Sequence, residues 1–199
     1  MTKKRVYVFA QSGFADWEPA HALAELRRHG KFEVRVVGLT SDRVQSMGGL
    51  SIQPDITVGD VDPADVAVLI VPGGDSWERE GPDPAVLDLL VKLDQLGVPI
   101  AAICAATTVI ARAGLLRGRK HTSNGLEYLK HHVPAYADDA NYVDAPAVRD
   151  RGLVTASGLA DVEFAREIMA ELGVLNDELR GQWTALFRSG RMPAAHVET

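Results

Sequence analysis

Cys104 is the chain's one cysteine, and it falls where an apolar run, Val98-Pro99-Ile100-Ala101-Ala102-Ile103, gives way to a helix-forming run, Ala105-Ala106-Thr107-Thr108-Val109-Ile110-Ala111. A cysteine at a sharp strand-to-helix turn holds its sulfur above the sheet edge. There the free N–H groups of the first helical turn lower the thiol pKa and can hold an oxyanion. The competing reading is a small buried hydrophobe, the usual fate of a lone cysteine. Pro72-Gly73-Gly74-Asp75 closes another apolar run, and N–H groups from Gly74 and Ala105 could together face a developing oxyanion; the plainer alternative is a tight strand-to-loop turn. Glu18 precedes Pro19 in Ala15-Asp16-Trp17-Glu18-Pro19. Pointing inward it must be protonated or paired, because a carboxylate facing a thiolate is repulsive, and as a neutral acid it could hydrogen-bond the sulfur and donate a proton. On this reading the Cys104 thiol lies well below its ordinary value. Asp16 is equally well explained as a helix-start partner. Trp17 and Trp77 flank these loops as candidate pocket walls, with core packing the alternative.

Short β-rich runs alternate with longer helical ones, the pattern of βα units wound into a mostly parallel sheet. Strands are expected at Val6 to Ala10, Phe32 to Leu39, Asp65 to Val71, Val98 to Ile103 and Leu153 to Ser157, with a hairpin across Arg43 to Gln53 around Gly48-Gly49. Helices are expected at Ala20 to His29, Asp83 to Leu96, from Ala105 onward, Asp161 to Leu172 and Asn176 to Phe187. Pro84 suits a first turn, Gly30, Gly97 and Gly173 suit helix ends, and Asn176 a cap. Lys120-His121-Thr122-Ser123-Asn124 reads as a short polar strand, and Glu127 to Pro146 as irregular chain that shapes a pocket mouth or a dimer contact. The loops Gln11 to Glu18, Pro72 to Trp77 and the Cys104 turn all leave the carboxyl ends of central strands, where open α/β sheets bind ligands.

The 199 residues suffice for a single α/β domain over the whole chain, 1–199. One cysteine excludes an intramolecular disulfide, and Met1-Thr2-Lys3-Lys4-Arg5 leads straight into a strand without the apolar stretch of a signal peptide, so a cytoplasmic location is expected. No apolar run is long enough to span a membrane. A formal charge of −6 with cations interspersed argues against a nucleic-acid partner. Neither a dinucleotide fingerprint nor a phosphate loop is present, so no cofactor is expected. The pair His131-His132 lacks a third ligand at metal-site spacing, and His121, three residues before Asn124, points away from it on a strand and reads as structural.

Four stretches carry a resemblance that covers nearly the whole chain: Gly13-Phe14-Ala15-Asp16-Trp17-Glu18; Val68-Leu69-Ile70-Val71-Pro72-Gly73-Gly74; Ala102-Ile103-Cys104-Ala105-Ala106 with Ala113-Gly114-Leu115-Leu116-Arg117-Gly118-Arg119-Lys120; and Gly152-Leu153-Val154-Thr155-Ala156-Ser157-Gly158. Through them the chain resembles the ThiJ/PfpI superfamily, a branch of the class I glutamine-amidotransferase-like fold. The resemblance implies a flavodoxin-like three-layer sandwich and a nucleophile-elbow cysteine at Cys104 in a strained backbone conformation. It further implies Glu18 hydrogen-bonded to that cysteine, an oxyanion site from Gly74 and Ala105, and usually a homodimer.

The departures shape the functional expectation. Peptidase-like members resemble Cys-His-Gly at the elbow, whereas Ala105 follows Cys104 here. Members with glyoxalase or deglycase-type activity carry histidine at the place of Asn124, and no His-Pro-Glu run exists for an amidotransferase triad. A thiolate can still add to a reactive carbonyl or isocyanide without a histidine base. Two readings of different classes therefore stand. One is a cysteine-dependent enzyme, hydratase/lyase- or hydrolase-like, with Cys104 as nucleophile and Glu18 as acid acting on a small electrophilic molecule in a pocket near Asp16, Trp17, Trp77 and Asn124. The other is a stress-response redox protein in which an oxidant converts Cys104 to a sulfinate.

Overall fold

The computed structural model describes residues 4–192. The elements run β1 (Arg5–Phe9), α1 (Ala20–Arg28), β2 (Val34–Gly38), β3 (Val44–Gln45), β4 (Ser51–Ile52), β5 (Ile56–Thr57), β6 (Val66–Val71), α2 (Ser76–Arg79), α3 (Pro84–Gln95), β7 (Ile100–Ile103), α4 (Ala106–Arg112), α5 (Leu126–His132), β8 (Ala147–Asp150), β9 (Leu153–Ala156), α6 (Asp161–Glu171) and α7 (Asp177–Ser189). Seven strands form one sheet in the order β5-β2-β1-β6-β7-β9-β8, parallel except for β8, which pairs antiparallel with β9. β3 and β4 make the separate hairpin expected around Gly48-Gly49.

The central strands are apolar throughout because helices cover both faces of the sheet. All six residues of β6 are buried. Their side chains alternate between two cores. Leu69 and Val71 join Phe9, Ile100, Leu90, Leu93, Val109 and Ile110 on one face, while Val68 and Ile70 join Val8, Ile103, Leu26, Phe164 and Ile168 on the other. This is an α/β sandwich of three layers, and Cys104 packs against both cores at the sheet's edge. Asn176 caps α7 as expected, its side chain accepting from Leu179 N–H at 2.9 Å.

Some elements differ from expectation. Lys120 to Asn124 is no strand; it holds one isolated bridge, His121 to Tyr142. Thr122 instead donates outside any ladder, its N–H to Thr155 Oγ1 and its hydroxyl to the Ala145 carbonyl. The stretch read as irregular contains α5, which starts after Gly125 at φ +151°. The two sheet edges, β5 and β8, and the single turn of α2 were not expected at all. Among the described residues no helix is long and apolar enough to cross a membrane.

Candidate active site

Cys104 has φ +59°. A side chain in that left-handed region costs of order 1–3 kcal/mol and persists only where the surroundings over-determine it. They do so here. The Cys104 N–H donates to Ala156 O of β9 at 3.0 Å, and its carbonyl accepts from Thr107 N–H at 3.1 Å and Thr107 Oγ1 at 2.6 Å. Ser123 Oγ lies 2.6 Å from that same Thr107 hydroxyl and holds the turn from behind. Close packing by two glycines completes the seat. A Cβ on Gly158 would stand 2.7 Å from Cys104 Sγ, and one on Gly73 would stand 2.8 Å from Cys104 Cβ and 2.9 Å from Glu18 Oε2.

Glu18 is 1% exposed and lies beside the thiol. Gly73 N–H donates to its Oε2 at 2.5 Å. Burial holds the carboxyl up at about 7, against the pull of the Gly73 and Cys104 hydrogen bonds, and the Asp161 charge adds to the rise. Burial, and next the Glu18 charge, push the Cys104 thiol up to about 11, while donors from Asn124 and the Ala105 N–H pull it down. This corrects the expected low thiol. Desolvation and a facing carboxylate outweigh the amides of a seven-residue helix start. The high value belongs to ionised Glu18: with the proton on Glu18, its charge no longer opposes the thiolate, and the carboxyl becomes a hydrogen-bond donor that favours it. Between those two values the pair holds one proton, which rests on sulfur, and the thiolate forms when that proton passes to Glu18.

Asn124 Nδ2 lies 3.4 Å from Cys104 Sγ, and its Oδ1 accepts from Gly158 N–H at 2.9 Å, which fixes the amide with its donors toward sulfur. The Gly74 N–H finds no acceptor among the described residues. Gly74 itself has φ +156° and passes so close to Gly13 and Phe14 that a Cβ would stand 2.8 Å from the Gly13 carbonyl. A cavity of about 550 Å³ opens at Asn124, with Ser123, Ser157, Asp161, Glu163 and Arg188 among its lining.

The structure therefore brings Cys104, Glu18, Ala105 and Asn124 together at the thiol, with Gly74 on the neighbouring loop. The other three candidates it places elsewhere. Asp16 accepts from Ser46 Oγ at 2.6 Å and anchors the β3–β4 hairpin. Trp17 is 48% exposed, and Trp77 is 1% exposed, stacked on Phe9 and donating its indole N–H to Pro72 O at 3.0 Å. Trp77 is a core residue that steadies the Pro72 loop from below. His121 is structural, bonded to Arg119 O at 2.7 Å and to the Tyr136 hydroxyl at 2.8 Å. Among the described residues no group of three His, Cys, Asp or Glu side chains is arranged to hold a metal.

Sequence reasoning missed Gly158, Tyr128 and Glu78. Gly158 lies on the loop after β9, a fourth central-strand exit that the sheet-edge rule would have found. Tyr128 and Glu78 meet across 50 positions, the hydroxyl donating to Glu78 Oε1 at 2.6 Å, and no local pattern links them.

The profile of the DJ-1/PfpI family matches residues 4–171. The protein named "Uncharacterized protease YoaZ" from Bacillus subtilis is 36% identical over 193 residues, covering 94% of this chain and 91% of the relative. "Deglycase PH1704" from Pyrococcus horikoshii is 28% identical over 163 residues, covering 79% and 92%. Among solved structures, the DJ-1 superfamily protein Atu0886 from Agrobacterium tumefaciens superposes with a TM-score of 0.86 at 35% identity, over 94% of this chain and 100% of that one. Fold, elbow and sequence agree: the chain belongs to the DJ-1/PfpI family.

Proposed function

We propose that the protein is a cysteine-dependent enzyme acting on a small, neutral electrophile such as a reactive carbonyl or an isocyanide. The observation that supports this most is the seat of Cys104: a side chain held at φ +59° with a buried carboxylic acid on one side and the Asn124 amide on the other. A cysteine kept only for packing needs neither the backbone strain nor the acid. Names given to relatives, deglycase and protease, point the same way.

The chemistry follows from the shared proton. With the proton on Glu18, the sulfur is a thiolate and attacks the electrophilic carbon; the S–C bond forms as the carbonyl π pair moves to oxygen. The N–H groups of Gly74 and Ala105 receive that oxyanion, and Glu18 returns the proton to it. Amides are poor substrates on this scheme, since expelling an amine needs a positioned acid for nitrogen, and Ala105 stands where peptidase-like members of the family carry histidine.

The test is a panel of methylglyoxal, an aryl isocyanide, a fluorogenic peptide and glutamine, each with wild type and Cys104→Ala. Turnover of either of the first two that is lost in the variant is expected. Cys104-dependent cleavage of peptide or glutamine overturns the substrate ordering, and silence on all four moves the assignment to the redox role.

A further inference from the structure

We propose that Tyr128, backed by Glu78, is the group that activates water at this site. The inference rests on the nucleophilic role proposed for Cys104 and adds to it a hydrolytic half-reaction. Tyr128 stands on the first turns of α5 and Glu78 on α2, the turn that follows the Gly73-Gly74 loop. Their hydrogen bond, 2.6 Å from the phenol oxygen to Glu78 Oε1, ties α5 to α2. Asn124 connects the pair to the sulfur. Its Nδ2 is 3.4 Å from Cys104 Sγ, and the Asn124 side chain and the Cys104 charge both act on the Tyr128 hydroxyl.

The direction of the proton follows from the inventory of donors. The Tyr128 proton is committed to the Glu78 carboxylate, which leaves the lone pairs of the phenol oxygen to accept. A phenol so placed is a poor acid: burial and the Glu78 bond raise its pKa. It is a good conduit toward Glu78, which is exposed and can release a proton to solvent.

Written for an ester, the sequence balances. Cys104 thiolate bonds to the acyl carbon and the alcohol leaves as its anion, giving a thioester. Water then attacks the thioester carbon, its proton passes to Tyr128 Oη while the phenol proton passes to Glu78 Oε1, and the C–S bond breaks to return the thiolate. Tyr128 would touch the reacting water and is the catalytic member; Glu78 acts through it as a positioning residue and proton acceptor.

p-Nitrophenyl acetate separates the two steps by stopped flow. Wild type should release one equivalent of p-nitrophenolate per Cys104 in a burst, followed by a slower steady rate. In Tyr128→Phe and in Glu78→Gln the burst should keep its amplitude while the steady rate falls about 100-fold, the usual scale of a lost general base. The solvent deuterium isotope effect on the steady rate should shrink in both, and Glu78→Asp should recover part of the rate. A full burst with an unchanged steady rate in both variants overturns the relay alone. Absence of any burst in wild type overturns the nucleophilic role of Cys104, and the relay with it.

Discussion

Glu18 is a carboxyl whose proton the fold prefers to keep, and its pH dependence has a definite sign. An unfolded glutamate titrates near 4.5, whereas the folded group titrates at about 7 because burial penalises its charge. Its contribution to stability is therefore complete below about 4.5 and is lost as pH rises through about 7. Glu18→Gln, which has no charge to bury, should be more stable than wild type at pH 8, by on the order of 3 kcal/mol, and should lose that advantage at pH 4. Urea midpoints at the two pH values measure it; an equal gap at both would mean that Glu18 titrates normally. Oxidation belongs to the same pair. Mild peroxide should add one and then two oxygens to Cys104, a rise of about 32 Da at the sulfinate, and Asn124→Leu should slow both steps by removing a donor to the thiolate. Loss of a mass shift in Cys104→Ser alone assigns the site, while a disulfide between copies would place the sulfur outside the cleft. The reactive pair was legible because each residue carries its own signal: a cysteine at a strand-to-helix junction, a glutamate before a proline. The thiol's elevated pKa was not legible, because desolvation and the facing charge come from packing across 86 positions rather than from neighbours in the chain.

At the scale of elements, four loops leave the carboxyl ends of β1, β6, β7 and β9 and meet at one sulfur. Two of them must be glycine at the point of contact. Gly158→Ala would put a Cβ 2.7 Å from Cys104 Sγ and 2.9 Å from its Cβ, so the elbow has to shift. The expected result is a labelling rate with iodoacetamide reduced at least tenfold, and a stability loss of about 1–3 kcal/mol, the scale of overpacking a closed site. Unchanged labelling would show that the loop after β9 yields without moving the thiol. The strands of the core were readable from their apolar runs because helices bury both faces of them. The edges were not: Ala147-Val148-Arg149-Asp150 of β8 is half-polar and pairs on one side only, and Ile56-Thr57 of β5 is two residues long. α2 is four residues, too short for any periodicity to register, and α5 follows a glycine whose backbone no side-chain pattern announces. Those two unread helices carry Glu78 and Tyr128, which explains why that pair was invisible while Cys104 and Glu18 were not.

At the scale of the whole molecule, the charge around the cavity beside Asn124 should bias what reaches the thiol. The chain carries a formal −6, and the cavity beside Asn124 is lined by Asp144, Asp161 and Glu163 against the single cation Arg188, which is itself bonded to Glu163. Asp161 faces His21 Nε2 at 3.5 Å and also raises the Glu18 pKa, so its field extends to the reactive pair. A cleft of one sign with low-dielectric walls concentrates opposite charge and repels its own. Cationic thiol reagents should therefore outpace anionic ones at Cys104. With trimethylammonium and sulfonate methanethiosulfonates, each rate divided by that reagent's rate with a free thiol, the cation should lead by about tenfold in dilute buffer. The lead should collapse in 1 M salt, where the Debye length is about 3 Å. Asp144→Asn should reduce it, by electrostatics alone, without altering the rate of a neutral reagent of the same size. Equal corrected rates for cation and anion in dilute buffer would mean that substrates approach the thiol by another route, and the electrostatic argument against anionic electrophiles would fall with it.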